Sequence, residues 1–204
     1  MPTLLYVNAC VKREIPSRTN RLAQAYLKKH LETSSWTLQT VTLEEEDLTP
    51  LTGKGLAERE DSIRKGDFSG ETFRLARSFA AADEVVIAAP YWDMSFPALL
   101  KLYIEHLCVN RLTFCYGDTG RPQGLVHVKK LVYVTTSGGP IGAANFGFDY
   151  VKGICSTLFG ITDISFFSAE GLDIDGHDPE AILAQAIDRI TADADAQDSS
   201  PRPA

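Results

Sequence analysis

The 204-residue sequence has few of the residues that build metal or disulfide scaffolds: four cysteines, four histidines and two methionines. Cys10, Cys108, Cys115 and Cys155 are scattered, with no Cys-x-x-Cys pair and no histidine at finger-like spacing. That pattern points to reduced thiols and to no metal site; His106 and Cys108, two apart in a helical pattern, project in different directions. No apolar run approaches the ~20 residues that cross a bilayer. Positive charge is also in deficit, with 20 Lys and Arg against 27 Asp and Glu and a net charge of -7. Such a surface has no electrostatic reason to attract nucleic acid or an anionic membrane. Met1 to Val7 runs straight into a strand-like stretch without the basic and apolar segments of a secretory leader, so a cytoplasmic location is expected.

What is present is an ordinary globular composition, 44% hydrophobic and 23% charged. A chain of this length can bury roughly 70% of its unfolded surface in one core. One domain over residues 1–190 is expected. The segment 191–204, rich in Asp, Ala, Ser and Pro, reads as a disordered tail.

Strand and helix patterns alternate along that domain. Thr3 to Asn8 reads as a buried strand, and Ser17 to His30 as a helix with Leu22, Ala25 and Tyr26 on one face. Trp36 to Leu43 alternates like a half-buried or edge-near strand, and the acidic run Glu44 to Asp47 ends it. From Leu48 to Gly70 the Pro, Gly and mixed charges predict an irregular excursion with one short helix, before a better helix over Glu71 to Ala82. Glu84 to Ala89 is the clearest buried strand and stops at Pro90. A helix follows Pro97, with Leu99, Leu100, Tyr103, Ile104 and Leu107 along one face. Arg111 to Lys130 reads as an insertion with a small hairpin. Strands at Lys130 to Thr136 and Asp163 to Ser168, and helices at Phe146 to Phe159 and Pro179 to Ile190, complete the series. Five strands joined by helices imply a parallel sheet covered on both faces, a three-layer sandwich whose ligands collect beyond the carboxyl ends of the strands.

Three loops lie at those ends. The first, Asn8 to Thr19, lacks both the Gly-x-Gly-x-x-Gly and the Gly-Lys-Ser/Thr phosphate motifs. Ser17 and Thr19 flank Arg18 where a helix begins, which suits either a phosphate monoester or a plain N-cap. Cys10 also suggests the nucleophile of a low-molecular-weight tyrosine phosphatase, with Asp178-Pro179 resembling its acid segment. The required Cys-x5-Arg is absent, however, because the sixth residue after Cys10 is Pro16. The second loop, Pro90-Tyr91-Trp92-Asp93-Met94-Ser95-Phe96-Pro97, offers a flat apolar wall for a ring, or a simple cover for the sheet end. The third, Thr136-Ser137-Gly138-Gly139, has two positions without bulk, which lets backbone N–H groups approach a planar ligand or makes an ordinary turn.

Taken in order, Ser17-x-Thr19-Asn20, Ala-Ala-Pro90-Tyr-Trp-Asp-Met-Ser-Phe-Pro97 with Leu100-Lys101, Thr113-Phe114-x-Tyr116, Gly124-Leu125, Ser137-Gly-Gly139 and Ala169-Glu170-Gly171-Leu172 resemble the FMN-dependent NADH-azoreductase family. That family belongs to the flavodoxin-like NAD(P)H:quinone oxidoreductases. The resemblance implies a flavodoxin-like fold and a homodimer with FMN near the subunit interface. It also implies NADH or NADPH as donor, and a quinone or azo acceptor served in a ping-pong cycle. Phosphate would lie at Ser17, Arg18 and Thr19, with Cys10 near a family serine that contacts it. The ring would be bordered by Pro90, Tyr91, Trp92, Asp93 and Met94 and by Thr136, Ser137, Gly138 and Gly139. Candidate walls for a flat acceptor are Trp92, Phe114, Tyr116, Phe146 and Phe148. The chain departs from the family at Asp93, commonly asparagine, and at Ser137, commonly arginine. The competing reading is a flavodoxin-like electron carrier that reduces no small molecule itself.

Overall fold

The computed structural model describes residues 1–11, 16–32 and 35–198. Its centre is a five-stranded sheet in which every neighbouring pair is parallel. In chain order the strands are β1 (Thr3–Asn8), β2 (Thr37–Thr42), β3 (Glu84–Ala88), β6 (Lys130–Thr136) and β7 (Asp163–Ala169), arranged β2-β1-β3-β6-β7. The chain moves outward from β1 to β2, then crosses back over β1 to β3. The order therefore reverses between β1 and β3, the place where an open parallel sheet leaves a crevice at its carboxyl end.

The expected strand runs come out as read, since a strand covered on both faces must be apolar at successive positions. All five residues of β3 and all seven of β6 are buried. Alternation of side chains divides them between two cores. Leu4, Tyr6, Val86, Val132 and Val134 face α1 (Arg18–Glu32) and α6 (Pro179–Asp198), meeting Leu22, Tyr26, Leu183 and Ile190. Leu5, Val7, Val85, Ile87, Leu131 and Tyr133 face α3 (Arg74–Ala81), α4 (Ala98–Leu107) and α5 (Phe146–Thr157), meeting Phe79, Leu100, Tyr103 and Val151. At roughly 1.5–3 kcal/mol for each large apolar side chain taken from water, these layers supply the main drive to fold. The expected insertion contains an antiparallel hairpin of β4 (Phe114–Tyr116) and β5 (Pro122–Gly124).

Two expectations differ from the structure. The excursion before α3 contains α2 (Gly53–Lys65), longer than a short helix, closed by Gly66 in the left-handed conformation with its N–H on the Ile63 carbonyl. The tail read as disordered from Thr191 is helical as far as Asp198, because Ala194 is buried against the α1 core and Lys130 pairs with Asp193 at 3.5 Å. Residues 199–204 lie outside the described residues.

Candidate functional site

Parallel pairing brings the ends of β1, β3 and β6 to one rim. Beyond them opens a cleft of about 770 Å³, lined by Val11 and Pro16 to Thr19 from the first loop, Pro90 to Trp92 from the second and Thr136 to Gly138 from the third. Arg21, Asp173, Pro179 and Glu180 complete the wall. The expected phosphate loop and the two expected ring loops thus border one space. Asp173, Arg21 and Glu180 were not singled out in the sequence, because they reach the cleft from partners more than 150 residues apart.

The first loop delivers the N-terminus of α1. Ser17 accepts the Asn20 N–H on its side-chain oxygen at 3.3 Å and the Arg21 N–H on its carbonyl at 2.9 Å, so it caps the helix. Capping and anion binding are compatible here, since the first N–H groups of a helix have no intrahelical acceptor. Thr19 is buried, and its hydroxyl lies 2.6 Å from that of Thr136, tying the first loop to the third. Arg18 does not project freely: its guanidinium donates to the Leu172 carbonyl at 3.1 Å and to Asp173 at 2.8 Å. Arg21 makes a two-pronged pair with Glu180 at 2.8 and 2.7 Å. Both cleft arginines are therefore charge-matched by carboxylates, and the N-terminus of α1 supplies the remaining positive potential.

The second loop is a tight reversal. Trp92 and Ser95 exchange both backbone hydrogen bonds, at 3.1 and 2.7 Å, around Asp93 and Met94, whose φ values are +50° and +64°. This is the twisted two-residue turn that usually takes Asn-Gly. Asp tolerates it; Met does so at a steric cost. Tyr91 fastens the loop on both sides, its N–H on the Thr136 carbonyl at 3.0 Å and its hydroxyl on the Ala144 carbonyl at 2.8 Å.

The third loop is pressed against the segment after β7. A Cβ on Gly138 would lie 2.5 Å from Asp173 Oδ2, whereas one on Gly139 would meet nothing within 4 Å. Gly139 is exposed, and among the described residues its N–H meets no acceptor. Ser137 is buried and lines the cleft, but its hydroxyl is committed to the Gly139 carbonyl at 2.6 Å and staples the loop.

Other expected site residues lie elsewhere. Cys10 is buried beside the Ala88 carbonyl, and burial pushes its thiol up from its ordinary value. Phe114 is 7% exposed within the core, and Phe148 packs on Tyr133 and Phe166. Tyr116 and Phe146 are exposed, at 61% and 58%, as is Met94 at 50%. Trp92 is the aromatic candidate that lines the cleft. Asp178, the residue resembling a phosphatase acid, accepts the N–H groups of Glu180 and Ala181 and starts α6. Arg13, which also lacks the Cys-x5-Arg spacing from Cys10, lies outside the described residues.

The family model for the flavodoxin-like fold matches residues 2–194. This chain belongs to that family. A protein named FMN-dependent NADH:quinone oxidoreductase from Clostridium beijerinckii is 34% identical over 192 residues, covering 93% of this chain and 96% of the relative. One of the same name from Lachnoclostridium phytofermentans is 36% identical, covering 93% and 96%. The crystal structure of an azoreductase from Bacillus anthracis superposes with a TM-score of 0.82 at 25% identity, covering 96% of this chain and 100% of that one. Each of these matches covers at least 93% of this chain.

Proposed function

We propose that this chain holds FMN in the cleft and acts as an FMN-dependent NADH oxidoreductase that delivers two electrons to quinone or azo acceptors. The observation that carries the reading is the joining of three loops around one cleft, in a chain whose relatives carry FMN-dependent names: the capped N-terminus of α1, Pro90 to Trp92 at the start of the second loop, and Thr136 to Gly138 with the open Gly139 backbone next in the chain. These features fit FMN in kind. A phosphate monoester suits the unpaired N–H groups at Ser17 to Thr19. A flat ring needs an apolar wall, available at Trp92, and a backbone donor without a side chain in the way, available at Gly139.

FMN, when bound, supplies the two-electron chemistry between a nicotinamide donor and the acceptor. The chain's own residues orient and select. Tyr91 sets the distance between the second and third loops through its two tethers. Among the described residues, the Arg18–Asp173 and Arg21–Glu180 pairs leave little net side-chain charge on the cleft wall. That favours neutral acceptors over anionic ones. Donor and acceptor taking turns at this opening, in ping-pong order, suits a cleft of about 770 Å³.

We further infer a homodimer. Trp92, Met94 and Phe146 are exposed, and Gly147 packs so closely on Ser95 that a Cβ would lie 3.0 Å from the Ser95 carbonyl carbon, which sets the second loop beside the start of α5. Such a patch beside a ligand cleft suits a second copy. Sedimentation at micromolar concentration tests it. The purified protein should be yellow, and anaerobic NADH, with NADPH in parallel, should bleach it, with colour returning on adding a quinone. A colourless protein that takes up no FMN would overturn the reading; a yellow one not bleached by either nucleotide would make it a carrier.

A further inference from the structure

We propose that Glu170, which follows β7 and lies outside the cleft wall, is a positioning residue that fixes the third loop in its ligand-receiving shape. The inference rests on the FMN reading above for its functional consequence, and on geometry alone for the contact.

After β6 the chain must leave the sheet, expose Gly139 and reach α5, whose N-cap is Asn145. Gly139 and Gly142 give this stretch little stiffness of its own, and Pro140 fixes only its own φ. Its shape is imposed by the segment after β7. The backbone contributes three bonds: Ser137 N–H to the Ala169 carbonyl at 3.0 Å, Leu172 N–H to the Ser137 carbonyl at 3.2 Å and Asp173 N–H to the Gly138 carbonyl at 3.0 Å. These stop at Gly138. Beyond it the Ser137 hydroxyl donates to the Gly139 carbonyl at 2.6 Å, and the carboxylate of Glu170 accepts the Ile141 N–H on Oε2 at 2.8 Å while the Ser168 hydroxyl donates to Oε1 at 2.7 Å. Ile141 is itself buried. The Asp173 bond to the Gly138 carbonyl sets the Gly138–Gly139 peptide plane and with it the Gly139 N–H, so the Glu170 bond fixes the other limb of the loop, where the exposed Gly139-Pro140 pair turns back into the buried Ile141.

A carboxylate accepting a backbone N–H makes a stronger bond than a neutral pair. It is also a side-chain bond, so it can be removed without touching the backbone.

The test compares wild type, Glu170→Ala and Glu170→Gln. Gln keeps an oxygen acceptor for Ile141 and an amide that can donate to Ser168. Hydrogen exchange over residues 138–144 is measured without ligand, and FMN affinity by quenching of its fluorescence. Glu170→Ala should speed exchange in that stretch about tenfold and weaken FMN about tenfold, and Glu170→Gln should restore both to within about threefold. A role in general stability alone would spread the exchange increase over β6 and β7 and would leave FMN affinity of the folded fraction unchanged. Either result overturns the proposal, as does a Gln variant no better than Ala. Should the Ala variant not fold, Glu170→Asp, one methylene too short to span the same gap, carries the same expectation. A wild type that binds no FMN would instead defeat the functional reading, while exchange over 138–144 would still decide the contact.

Discussion

Gly138 and Gly139 are neighbours of identical chemistry in opposite surroundings, and replacing each with alanine should separate folding from binding. At Gly138 the new Cβ would sit 2.5 Å from Asp173 Oδ2 and 3.2 Å from its Cβ and Cγ. The carboxylate is the end of a side chain and can swing away, but only by leaving Arg18, 2.8 Å distant. Losing that partly exposed pair costs about 0.2–1 kcal/mol. Residual crowding against the Asp173 Cβ adds about 1–3 kcal/mol, offset by about 0.4–1 kcal/mol from a stiffer unfolded chain. The net centres on roughly 2 kcal/mol, and for a chain of this size about 4–8 °C in melting temperature. At Gly139 nothing lies within 4 Å, so alanine should leave the melting temperature of the ligand-free protein unchanged or slightly raised. It should instead weaken FMN, by placing a methyl where a planar ligand approaches. The assay is calorimetry with and without FMN on both variants and on Gly138→Ala with Asp173→Ala, which removes the 2.5 Å contact. An unchanged melting temperature for Gly138→Ala, or a double variant showing only the sum of the single losses, would refute the reasoning.

Three further outcomes are expected. Asp93→Asn removes a carboxylate from the turn beside the ring wall and should raise the midpoint potential of the bound flavin by tens of millivolts, on the order of a screened charge interaction; an identical potential in spectroelectrochemical titration rules that out. With both cleft arginines paired and serine at position 137, steady-state kcat/KM should be higher for a small neutral quinone than for a sulfonated azo dye, and the reverse order would contradict it. Glu84 is buried at the start of β3, accepting from Tyr26 at 2.6 Å, with His30, Lys130 and Asp163 around it, and burial raises its carboxyl above the ordinary range. The folded state then holds that proton more tightly than the unfolded state, so this group's stabilisation is complete below the ordinary carboxyl value and is lost as pH rises through the raised one. Urea midpoints between about pH 4 and about pH 8 should therefore decline less steeply in Glu84→Gln than in wild type; parallel curves would count against it.

The sheet was legible because burial on both faces forces continuous apolar runs, as at Glu84 to Ala89 and Lys130 to Thr136. The loops were legible as places for the same reason: a strand that stops at Pro90 or at Ser137-Gly-Gly139 announces its own end. What escaped was long-range or weakly apolar. The last turns of α6 carry a stripe, Leu183, Ala186, Ile190 and Ala194, whose alanines are too small to register against the surrounding Asp residues. Arg18 reads as a free phosphate ligand until Asp173, 155 positions away, is placed beside it. Phe114 and Phe148 read as ring walls because an aromatic in a loop and one in the core have the same letter; only their packing on Tyr116 and on Tyr133 and Phe166 tells them apart.

The dependence of the third loop on the segment after β7 bears on the order in which the molecule comes into being. During synthesis β1, β2, β3 and β6 emerge first and can pair with one another. The acceptors and donors of Ser137, Gly138 and Ile141, and the anchor of Arg18, belong to residues 169–173. A nascent chain lacking that stretch has four neighbouring strands and an unshaped rim. Competence for the ligand therefore arrives late and all together, with the docking of the final strand. A chain cut short before β7 would be caught as a partly built sheet with an exposed β6 edge, a species more prone to aggregate than to bind.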